Sequence, residues 1–71
     1  LGELRRHVAR NVRQAVEAGQ FAADTDPAQV AFELSAIVLG LHNDLRLFRD
    51  ERAIGRAFVA FDRLLAGQAA H

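Results

Sequence analysis

The sequence predicts an all-α fold of three antiparallel helices, on three observations. Fourteen alanines and nine leucines favour helix along the whole chain. The strict apolar–polar alternation of a half-buried strand is absent. The single proline and most of the five glycines fall where helices would start or stop. Helices are expected over about 2–18, 27–48 and 51–66, and the short linkers turn each one back roughly antiparallel to its neighbour.

The first helix carries Leu4, Val8, Val12, Ala15 and Val16 at the spacing of one buried stripe. Arg6, Arg10, Arg13 and Glu17 occupy another side, and His7, Asn11 and Gln14 form a neutral polar strip. Gly19 fits the left-handed position after the helix end. The middle helix has a clear start in Asp26-Pro27-Ala28-Gln29. Asp26 caps, Pro27 suits the first helical position, and Gln29 stands where a capping-box partner belongs. Asp50 is the corresponding cap for the third helix, and Gly67 its terminator. On the third helix Ile54, Phe58, Phe61 and Leu65 define the main apolar ridge. Ala53, Ala57, Ala60 and Leu64 widen that ridge, and Arg52, Arg56 and Arg63 form the wet edge.

The middle helix is unusual because successive residues placed about 100° apart give it two apolar faces. One holds Val30, Leu34, Ile37, Val38, Leu41, Leu45 and Phe48. The opposite one holds Phe32, Ala36, Leu39, Gly40 and Leu47. Glu33 and Asp44 separate them on one flank, and Ser35, His42 and Arg46 on the other. Such a helix must be covered from two sides, and the first and third helices cover one. Leaving the second face wet would forfeit several kcal/mol at ~25 cal/mol per Å², comparable to the stability of a small domain. The small residues Ala36 and Gly40, one turn apart, would let another helix approach closely there.

Composition narrows the function classes. A chain of 71 residues holds one domain at most. It buries only about 60 % of its unfolded surface, and chains of this size usually need a metal, a disulfide or a partner. With no cysteine there is no disulfide, thiolate metal site or thiol nucleophile. No apolar run approaches the roughly 20 residues of a membrane span, and no signal-peptide pattern opens the chain. Nine arginines balance nine acids, so no net field draws the segment to nucleic acid or anionic lipid. The first residue is Leu1 rather than Met, as expected of a piece of a longer protein.

The order of motifs resembles a known family. The run Glu17-Ala18-Gly19-Gln20-Phe21, then Asp24-Thr25-Asp26-Pro27, then Ala31-Phe32-Glu33-Leu34 resembles the C-terminal region of TetR-type (tetracycline-repressor-like) bacterial regulators. The continuation Val38-Leu39-Gly40-Leu41, Leu45-Arg46-Leu47-Phe48 and the helix ending Asp62-Arg63-Leu64-Leu65 is similar too. The resemblance covers most of residues 10–66. It implies a cytoplasmic, all-helical homodimer whose N-terminal helix-turn-helix domain binds operator DNA and whose C-terminal domain binds a small effector. Residues 1–71 would then be part of that C-terminal regulatory domain, without the DNA-binding domain or the whole pocket.

On this mapping the last two helices form a four-helix bundle across the dimer. The expected interface is Phe32, Ala36, Leu39, Gly40, Asn43 and Leu47 on the middle helix, with Ala53, Ala57, Ala60 and Leu64 on the third. The polar residues beside apolar stripes, His7, Asn11, Gln14, Ser35 and His42, are candidates for the wall of an effector pocket. An ordinary solvated edge is the competing reading of each. The four residues Phe32, Phe48, Phe58 and Phe61 fit core and interface better than an aromatic cage.

No catalytic or cofactor constellation accompanies these features. His7 and His42 stand on different helices without metal-ligand spacing, and His71 is terminal. Ser35 and His42 share a strip two turns apart, beyond hydrogen-bond reach, so with Asp44 they are the letters of a triad without its geometry. Arg5, Arg6, Arg10 and Arg13 read as a solvated face rather than a phosphate stripe, because the chain has no excess positive charge. The sequence therefore points away from an enzyme and from any cofactor. A stand-alone helical module that takes a partner helix beside Ala36 and Gly40 is the alternative to the regulator segment.

Overall fold

A computed structural model describes residues 2–70, and it is all-helical, with one isolated strand-like bridge between loop and tail. Three α-helices follow one another: α1 (Gly2–Glu17), α2 (Pro27–Asn43) and α3 (Arg52–Ala66). His71, singled out above as terminal, lies outside the described residues. Helix α2 is central, and both α1 and α3 pack on it.

The chain leaves α1 as its side chains dictate. Gly19 takes the left-handed conformation at φ 78°, which a Cβ would disfavour. Its amide and that of Gln20 donate to the carbonyls of Val16 and Ala15 at 3.0 and 2.9 Å, closing the helix end. At the start of α2, Asp26 is extended at φ −92°. Its Oδ1 accepts from the amides of Ala28 and Gln29 at 3.0 and 3.3 Å. Gln29 thus joins the cap through its backbone.

The far end of α2 departs from the expected continuous helix to residue 48. The α-helix stops at Asn43, and Asp44–Phe48 form a π-helical turn. This turn closes when the Arg49 amide donates to the Asp44 carbonyl. Arg49 itself stands at φ 50°, so a non-glycine residue takes the left-handed stop. The wider turn takes its own last side chains out of α-helical register. Phe48, expected on the inward face, is 72 % exposed, as is Leu47.

The tail after α3 is tied down. Gly67 ends the helix with right-handed backbone at φ −66°. The tail then pairs with the loop after α1: Ala22 N donates to Gln68 O at 2.8 Å, and Ala70 N to Gln20 O at 3.2 Å. These bonds hold the two ends of the three-helix array together.

The core is thin. Its buried residues are Val12, Val30, Ala31, Ser35, Ala53 and Ala57, most of them small. The molecule is elongated, with extents of 39 × 25 × 13 Å. Its radius of gyration is 13.2 Å, against about 11 Å for a compact domain of this length. So few buried side chains leave one side of the central helix without a core of its own. No described helix is long and apolar enough to cross a membrane.

Candidate functional site

The two apolar faces of α2 part company in the structure. Val30 is buried, and Leu34, Ile37, Val38, Leu41 and Leu45 are half-buried, all on the side covered by the chain itself. On the other side Phe32 and Leu39 are 53 % and 49 % exposed, and Ala36, Gly40, Asn43 and Leu47 are exposed with them. A Cβ built on Gly40 would meet nothing within 4 Å. Glycine inside a helix costs about 1 kcal/mol relative to alanine, and no packing within the chain requires it here.

On α3 the structure corrects the sequence reading. Ala53 and Ala57, expected at a partner-facing surface, are buried against the chain's own helices, and Ala60 and Leu64 are half-buried. The apolar side chains that α3 leaves exposed are Ile54, Phe58, Val59 and Leu65. Ile54, Phe58 and Leu65 of the main apolar ridge thus point outward. Phe61 is half-buried and meets Phe58 edge-on, with ring centroids 6.5 Å apart. The physical reason is approach distance: alanines let α3 sit close to α2, where a ridge of Phe and Ile would hold it away.

The candidate polar wall is also rearranged. His7 and Asn11 are exposed and bonded to each other, with Asn11 Nδ2 3.2 Å from His7 Nε2. Gln14 and His42 are exposed. Ser35 is 1 % exposed and lines no open wall. Its hydroxyl donates to the Phe32 carbonyl at 2.9 Å and accepts from Arg5 Nε at 3.0 Å. The Arg5 guanidinium in turn lies over the Phe32 ring, 5.4 Å from its centroid. Arg5 is therefore exposed, as expected of the arginine face, and also joins the α1–α2 junction through Ser35 and Phe32. A helical count could have found it: Arg5, Ala9, Val12 and Val16 follow the i, i+4, i+7, i+11 row of the inner stripe.

The charged groups at the start of α3 serve architecture. Asp50 Oδ1 accepts from Arg52 N at 3.0 Å and Arg52 Nε at 3.1 Å, and Asp50 Oδ2 from Arg56 Nη1 at 3.4 Å. The Arg52 side-chain hydrogen bond, followed by its backbone one, holds the Asp50 carboxyl below its ordinary pKa, and the charges of Arg52 and Arg56 assist. Among the described residues no group of three or more His, Asp or Glu side chains could hold a metal ion.

The arrangement exposes apolar rows on α2 and α3, and one exposed arginine bonds across the α1–α2 junction. A family model described as "Tetracyclin repressor-like, C-terminal domain" matches residues 1–61. No curated protein and no solved structure matches the chain. With 61 of its 71 residues inside that match, and an all-helical fold in agreement, the chain belongs to the tetracycline-repressor-like C-terminal domain family.

Proposed function

We propose that this chain is the dimerisation and partial effector-binding segment of a TetR-type bacterial transcriptional regulator that adjusts operator binding to a small molecule. The observation that carries the reading is the outer row of α2, where Phe32, Leu39 and Leu47 stand exposed around Gly40. A second copy would cover this row, together with Ile54, Phe58 and Leu65 of α3, in a four-helix bundle of antiparallel helices. A two-fold interface places the same patch on both subunits. Burying these side chains on each copy would contribute several kcal/mol, at roughly 1.5–3 kcal/mol per large apolar residue.

In this reading the segment catalyses nothing and needs no cofactor. It works in the cytoplasm, and DNA contact belongs to a helix-turn-helix domain outside these residues. Effector binding favours one helix arrangement over another, and the bundle carries that preference to the spacing of the DNA-reading heads.

Sedimentation tests it. The chain should be a dimer at micromolar concentration, and Gly40→Arg should make it monomeric. The open space at Gly40 lets the monomer accept arginine, so helix content should persist in the variant. A compact, stable monomer of the unsubstituted chain would refute the dimer and favour a groove for some other helix.

A further inference from the structure

Between α1 and α2 lies an open cleft of about 400 Å³, lined by Arg5, Arg6, Ala9, Ala28, Ala31 and Phe32. Its character is set by what those residues supply. The alanines and the Phe32 ring make the walls apolar, the two arginines stand at its rim, and no acid lines it. The size falls in the range of small-molecule sites, about 300–1,000 Å³.

Arg5 is oriented before any ligand arrives. Though Arg5 is exposed, its Nε is held by the hydroxyl of Ser35, a residue 1 % exposed, and its guanidinium carbon lies 5.4 Å from the Phe32 ring centroid. Ser35 is itself fixed by the Phe32 carbonyl. The ion pairs among the described residues both belong to Asp50, with Arg52 and Arg56, so Arg5 has no carboxylate partner there. One edge of the guanidinium is thus engaged, and the edge formed by Nη1 and Nη2 remains for a partner. Two parallel N–H groups match the two oxygens of a carboxylate. The guanidinium carbon 5.4 Å from the Phe32 ring centroid is also within cation–π range, which favours keeping the charge there.

We infer that this cleft binds a small amphipathic carboxylate, its anionic end on Arg5 and its apolar body against Phe32 and the alanines. The inference rests on the effector-binding half of the reading above and names the chemical class of the effector. Phe32 belongs to both the cleft and the outer row of α2, so occupancy would bear directly on the surface proposed for the partner copy.

Phenylacetate is a suitable probe, with phenylethanol as its uncharged counterpart and inorganic phosphate as an anion without an apolar body. Titrated into the isotope-labelled chain, phenylacetate should saturably shift the Arg5 Nε–H and Phe32 ring resonances. Phenylethanol and phosphate should each bind about tenfold more weakly or worse, because each lacks one half of the recognition. Arg5→Lys keeps the charge but loses the fork and should weaken phenylacetate about tenfold, whereas Arg10→Gln, outside the cleft, should leave it unchanged. Equal binding of all three probes, equal effects of the two variants, or no saturable shift would each overturn the site. Sedimentation of the same samples separates the two readings. A dimer that ignores phenylacetate overturns the cleft alone. A monomer that binds it through Arg5 upholds the cleft and overturns the dimer.

Discussion

The two faces of α2 share one backbone, one set of caps and similar hydrophobicity, yet they behave oppositely. The covered side buries Val30, Ala31 and Ser35 almost completely, while the open side leaves Phe32, Leu39 and Leu47 in water. Small side chains are inside and large ones outside, the reverse of an ordinary core. α3 repeats the pattern, with Ala53 and Ala57 buried and Phe58 63 % exposed. Small residues let the three helices approach closely, and the bulk left outside is the apolar mass a second copy would use. Contiguous exposed apolar rows of this kind mark interaction surfaces.

The sharpest way to break this comparison is to place a charge on each face. Val30→Asp buries an unpaired carboxylate and should remove several kcal/mol, enough to abolish cooperative melting in a domain this small. Leu39→Asp should leave the helical signal of the monomer intact and act only on association. Circular dichroism and sedimentation of the pair decide it, and equal unfolding by both would erase the distinction between faces. A smaller and more discriminating change is Gly40→Ala. It should stabilise the isolated helix by about 1 kcal/mol, yet weaken self-association by adding a methyl group at a close crossing. A stabilised chain whose association is unaffected would show that no second helix passes over Gly40.

The ends of α2 sharpen the comparison further. Asp26→Ala should cost about 1 kcal/mol and lower the melting midpoint by several degrees. The control is Asp24→Ala, whose residue makes no such cap. An equal shift in both would remove the capping argument. The smallest effect concerns Asp50, whose carboxyl is held below its ordinary value chiefly by the Arg52 hydrogen bonds. Folding then favours the ionised form, so the stabilisation is complete above the unfolded carboxylate value of ~3.9 and is lost as pH falls through the lower folded value. Asp50→Asn should lower the melting temperature slightly at neutral pH and leave it unchanged at the acid end, so that the acid limb flattens. An unaltered acid limb would assign that slope to other carboxylates.

How much could be read in advance differs from residue to residue. Asp26 with Pro27 and Gly19 were legible because capping and left-handed turns depend on a few neighbouring atoms. The stop at Arg49 was not legible, since no glycine announces it and the wide turn over Asp44–Phe48 is an outcome of packing. Ser35 was misplaced for a related reason. It looks polar and solvated on its own helix, and only the α1–α2 approach buries it and brings the exposed Arg5 to it at 3.0 Å.

By itself, then, the amino-acid order determined three helices, their starts, and a middle helix apolar on two sides. Those properties follow from propensity, periodicity and cap chemistry, all of which act within a turn or two of chain. Which apolar ridge of α3 turns inward was decided only in the folded molecule. There the choice between Ala53/Ala57 and Ile54/Phe58 depends on how closely two helix axes can approach, and that distance is a property of the pair rather than of either helix.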